Sequence, residues 1–171
     1  PWVQFNGQTL NLSHRQIEIL CILALHPHGI GLEELHYALY GERSVSLKTL
    51  KAELSQLRSL LPHSIEPRIY RLSCEVQCDF LRAEQSLNAN LISSTFSLYK
   101  GSFLSKSESP LLSTWRHCFD ARLSQLIYQI KDIDQLLRII GQTHDRIDAV
   151  QRLLELLPQD SIHRNYFSNL I

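Results

Sequence analysis

The sequence predicts a mainly α protein with small β-hairpins, in two parts: a mixed part over residues 1–78 and an all-helical part over 79–171. Three observations carry this. Asn6-Gly7 sits between two short alternating stretches, a strong hairpin signal. Apolar residues then recur at spacings of three and four in successive segments up to Leu61. After Asp79 the pattern is helical throughout, broken only by glycine and proline.

Residues 2–12 alternate apolar and polar around Asn6-Gly7, with Val3 and Phe5 facing Thr9, Leu10 and Leu12. Ser13 and Gln16 have the spacing of a capping box, so a helix begins there and runs through the apolar stretch Ile17–Leu25. His26-Pro27-His28-Gly29 ends it, with Gly29 free to turn left-handed. Leu32, Leu35, Ala38 and Leu39 share one face of a second helix over 32–40, closed by Gly41. A third helix is expected over 47–61, with Leu47, Leu50, Leu54, Leu57 and Leu61 as its apolar stripe and Pro62 as its stop. Ile65–Leu72 and Val76–Cys78 read as strands, the first limited by Pro67. Beyond them, helices are expected over 79–88, 91–99, 110–131, 132–140, 145–157 and 161–170. Ser109-Pro110 is an N-cap followed by proline at the first helical position, and Gly101 and Gly141 supply breaks.

Composition narrows the function classes. With 44% hydrophobic residues in 171, the chain can bury one full core or two small ones. No stretch approaches the roughly 20 apolar residues that span a bilayer, and Pro1-Trp2-Val3 does not open a signal peptide. The absence of any Met reads as a domain excised from a longer protein. Cys21, Cys74, Cys78 and Cys118 form no CxxC pair, so reduced thiols in a cytoplasmic protein and no metal site are expected. No GxxxxGK, GxGxxG or GxSxG motif is present, and His26, His28, Asp120 and Asp145 fall in unrelated elements. An enzyme is therefore not expected, nor a cofactor.

Net charge is zero, but it is unevenly spread. Residues 1–42 carry one basic residue against four acidic ones, giving −3. Residues 43–71 carry six basic residues (Arg43, Lys48, Lys51, Arg58, Arg68, Arg71) against Glu53 and Glu66, giving +4. Hairpin, three helices and closing hairpin is the element order of a winged helix-turn-helix. In that fold the third helix enters the major groove while its leucines pack inward. The opposite face displays Lys48, Thr49, Lys51, Ala52, Ser55 and Arg58, residue types that reach phosphates and base edges. Arg68 and Arg71, near the closing hairpin, are placed to hold flanking phosphates or the minor groove.

The stretch Leu47–Leu61 (LKTLKAELSQLRSLL), followed by Ile69–Leu72 (IYRL), resembles the recognition helix and hairpin of OmpR/PhoB-type winged helices. Ser13–Tyr40, with ALHPHGIGLEELHYALYG, is similar to the variant in bacterial regulators that carry an upstream GAF-type sensor domain. Ser97–Pro110 (SLYKGSFLSKSESP) resembles the LYxGxFL turn of SARP-like activation domains, and Arg146–Pro158 resembles a tetratricopeptide (TPR)-like helix ending in LLxxLP. The resemblance implies a winged helix followed by an all-α TPR-like domain, in a regulator that binds double-stranded DNA. It further implies a homodimer, with RNA polymerase as a candidate partner. The segment departs from the family at Ser55 and Gln56, where many members carry two arginines, and its hairpin is short. Each lost phosphate contact lowers affinity, so weak DNA binding by this chain alone is expected.

Two roles for the helical half are open from the residues alone. The stripe Leu112, Trp115, Phe119, Leu123, Leu126, Ile130 and the set Ile147, Val150, Leu153, Leu154, Leu157 either fill a bundle core or leave a face for a partner. Trp115, Tyr128 and Tyr166 are the aromatics to examine for exposure. A rival reading of the whole is a protein-interaction module whose winged helix does not bind DNA, which neutral net charge suits.

Overall fold

A computed structural model describes residues 3–143 and 145–169. The protein is mainly helical, with a small two-stranded antiparallel sheet. It divides into two compact units, one of residues 1–78 with 104–115, the other of 79–103 with 116–171. Sequence patterning places 104–115 with the helical half. The contacts place it in the first unit, where the Ser107 hydroxyl donates to buried Glu18 and Ser109 Oγ donates to Ala38 O at 2.7 Å.

In the first unit, β1 (Val3–Phe5) and β2 (Gln8–Leu10) pair with Val3 opposite Leu10 and Phe5 opposite Gln8. Asn6 and Gly7 both take positive φ, at 50° and 79°, as a two-residue hairpin turn of this twist requires. Trp2 lies outside the described residues. Helix α1 (His14–Leu25) has both halves of the capping box: Ser13 Oγ accepts from Gln16 N, and Gln16 Oε1 accepts from Ser13 N. Helix α2 (Leu32–Tyr40) and helix α3 (Leu47–Leu60) pack on α1 and on each other. Ile19, Ile22, Leu23, Leu35, Leu39, Leu50, Leu54 and Leu57 make the core between them.

The expected closing strands are much reduced. Ile65 bridges Leu72 and Ile30 bridges Tyr70, but each is an isolated bridge, and no strand forms over 76–78. Pro67 has no N–H to offer, and the chain turns back at once, with Arg68 at φ 76° and Ile69 N donating to Pro67 O. The ladder is therefore limited to Ser73 N to Ser64 O and Glu66 N to Arg71 O, beside the mutual Ile30–Tyr70 pair.

Gly29 makes that second bridge possible. Its φ is 93°, and a Cβ there would meet Ile69 Cγ2 at 2.3 Å and Arg71 Cβ at 3.4 Å. Gly29→Ala is expected to destabilise the protein by about 2 kcal/mol or more, from the left-handed backbone together with the clash. Amide exchange should rise at Ile30 and Tyr70 first. Unchanged protection at both amides counts against a tight approach here.

The second unit is built of helix pairs. Helix α4 (Asp79–Asn88) packs on α5 (Ile92–Leu98), and α7 (Ile133–Gln142) on α8 (Ile147–Leu156), with α9 (Ile162–Ser168) against α8. Helix α6 (Pro110–Gln129), which belongs to this unit from Arg116 on, follows Ser109, whose Oγ accepts from Leu112 N. Gly141 does not break α7. The helix runs through it to a cap at Thr143, whose hydroxyl donates to Ile139 O. Leu170, at the end of the last expected helix, is outside the described residues. Phe119, Leu123, Leu126, Ile130, Val150, Leu153 and Leu157 are buried, so the two apolar sets supply core. Ile147, at the first position of α8, is exposed instead, as are Tyr128 and Tyr166, while Trp115 is half-buried. No helix among the described residues is long and apolar enough to cross a membrane.

Candidate nucleic-acid interface

Helix α3 forms where it does for local reasons. Ser46 is its N-cap, accepting from Thr49 N, and no glycine or proline interrupts it before Pro62. Leu50, Leu54 and Leu57 are buried, and Leu61 continues the stripe just past the helix end. Leu47 departs from the expected stripe: at the first helical position it is 37% exposed.

With the leucines turned inward, Lys48, Thr49, Lys51, Ala52, Ser55 and Arg58 are all exposed. Positions 48, 51, 55 and 58 recur at helical spacing, so they lie along one face. Among the described residues Lys48, Lys51 and Arg58 enter no ion pair. Thr49 is partly engaged, its hydroxyl 3.2 Å from Ser46 Oγ.

The remaining cations of the basic segment divide. Arg68 is exposed at the tip of the hairpin turn and unpaired. Arg71 is exposed too, but Glu66 holds it in a two-point pair, Nε to Oε2 at 2.8 Å and Nη2 to Oε1 at 2.9 Å. That hydrogen-bonded carboxylate raises the guanidinium pKa above its ordinary value. Arg43 is bound to Glu108 at 2.7 Å and to the carbonyls of Leu39, Tyr40 and Glu108. The segment's six cations thus leave four available: Lys48, Lys51, Arg58 and Arg68.

Sequence reasoning missed Glu66 and Glu108 as the groups that occupy Arg71 and Arg43. For Glu66 a signal exists, since residues flanking a tight turn face each other across it. It also missed Glu18, which lies buried in α1 beside Arg15 at 2.6 Å, while Arg15 itself lies over the Tyr40 ring. Burial raises the pKa of that tyrosine, with Arg15 acting against the shift.

An open groove of about 590 Å³ lies beside α3, lined by Asn11, Leu12, Ser13, Gln16, Gln56, Ser59 and Leu60, with no ionisable side chain among them. All four cysteines are unbridged, and no cluster of three or more metal-ligating side chains occurs among the described residues.

No protein-family model matches the chain. A protein of Rhodococcus erythropolis, described as "Uncharacterized 47.3 kDa protein in thcA 5'region", is 28% identical over 151 residues. The match covers 88% of this chain and 34% of that relative, so the chain spans about a third of the relative's length.

Proposed function

We propose that the first unit is a winged helix-turn-helix that binds double-stranded DNA, within a cytoplasmic, non-enzymatic transcription regulator of the OmpR/PhoB-type and SARP-like kind. One observation supports this most directly: α3 buries its leucines and leaves Lys48, Lys51, Ser55 and Arg58 exposed and unpaired along one face. In this reading α3 lies in the major groove, and Arg68 at the hairpin tip grips the flanking backbone. The second unit, with its helix pairs, is a TPR-like domain for dimerisation or for a partner such as RNA polymerase.

Four available cations predict modest, salt-sensitive binding. Titrating salt against the chain bound to random duplex DNA should give a log–log slope of about −3 to −4, near −0.9 per phosphate neutralised. A flat response, or no binding even at low salt, removes the DNA reading. It would leave a protein-docking role for the same unit.

A further inference from the structure

We propose that Glu66 is a built-in competitor for DNA phosphate, which holds Arg71 out of the interface. This rests on the DNA-binding reading. A guanidinium offers a planar fork of N–H donors, and a carboxylate or a phosphate takes it with the same two parallel bonds. Glu66 already fills that fork through Nε and Nη2, at 2.8 and 2.9 Å.

The backbone fixes the pair's register. Glu66 N donates to Arg71 O across the turn, so the two residues stand opposite each other at its base. The Gly29 backbone also approaches Arg71, closely enough that a Cβ there would lie 3.4 Å from Arg71 Cβ. The stem of Arg71 is therefore positioned, while its head stays at the surface. Both side chains are roughly half exposed, 47% and 40%, so phosphate and counterions reach the pair from solvent.

The Arg71–Glu66 pair carries no net charge into the encounter, so Arg71 releases no counterion of its own. The hairpin then presents Arg68 alone as its free cation. Glu66 thus lowers both the affinity and the salt dependence of the complex by one contact, without touching DNA itself.

A double-mutant cycle tests this on the 171-residue chain with random duplex DNA. Glu66→Gln keeps the side-chain size and should tighten binding about threefold, steepening the salt slope by about 0.9 as one more phosphate is neutralised. In an Arg71→Ala background the same substitution should leave the salt slope unchanged and tighten binding clearly less, by relief of carboxylate repulsion alone. Equal tightening with and without Arg71 overturns the proposal, because Glu66 would then act by simple repulsion of DNA. No tightening in either background overturns it as well. If the parent chain binds duplex DNA and Glu66→Gln does not alter that binding, this inference fails while the DNA reading stands. If the parent never binds, both fall.

Discussion

Alanine at Lys48, Lys51 and Arg58 together is expected to abolish duplex binding at roughly physiological salt and to leave folding nearly intact. All three side chains are exposed and enter no ion pair, so nothing in the core depends on them. Alanine is the strongest helix former, and exposed substitutions of this kind stay within about 0.5 kcal/mol of neutral. The binding side is different. Each lost phosphate contact removes about 0.9 from the salt slope, and each lost base-edge contact costs roughly 1–3 kcal/mol. With only four available cations in the segment, losing three leaves Arg68 alone. Alanine at Lys100, Lys106 and Lys131 makes the matching control, since all three are exposed and the change in net charge is the same. Fluorescence anisotropy of labelled duplex should separate the two triple variants. Equal weakening by both would mean that only total charge matters, and the assignment of α3 would be lost.

The exposure of those residues was readable in the sequence because a period of three and four leucines dictates which face of a helix turns inward. Local signals were readable for the same reason. Asn6-Gly7, the Ser13–Gln16 box and Ser109-Pro110 each act within four residues, and each forms in the structure. The rest depends on contacts that no local pattern encodes. Ser107 reaches Glu18 across 89 positions and Ser109 reaches Ala38 across 71, which is why a polar stretch that reads as a loop belongs to the first unit. Arg43 reads as one more basic residue until Glu108, 65 positions away, is seen to hold it. Val76–Cys78 has strand-like residues but no strand to pair with, since the register set by Ser64–Ser73 and Ile65–Leu72 would put 59–61 opposite it, and those residues belong to the end of α3 and its cap. Periodicity therefore located the candidate interface but overstated its charge.

Arg146 is the residue whose loss should cost most in the second unit. Its side chain is only 7% exposed. Nη2 lies against Asp148 Oδ2, Nε donates to Asp148 Oδ1 at 3.0 Å and Nη2 to Ser124 Oγ at 2.9 Å, with Asp120 Oδ1 at 3.5 Å from Nη1. The guanidinium also lies 5.9 Å from the centre of the Tyr99 ring, whose hydroxyl donates to Asp145 at 2.7 Å. Burial disfavours the guanidinium charge, but Asp148 outweighs it and the pKa is raised. Burial pushes the Tyr99 pKa up strongly, with Asp145 adding to it, and it raises Asp120 against the pull of Arg146. Truncating the cation strands Asp148 and leaves Asp120 only the weaker pull of Arg116 and His117, a change that typically costs about 3–5 kcal/mol. Arg146→Ala should therefore lower the melting temperature by on the order of 10–20 °C. Faster amide exchange should be concentrated in residues 116–156. Pairing Arg146→Met with Asp148→Leu removes both charges at once and should recover most of the loss, because the penalty comes from a stranded charge rather than from the missing bridge. If Arg146→Ala melts with the parent, the cluster is an ornament of the fold. If the double variant is as unstable as the single one, the bonds themselves and not charge balance hold these helices together.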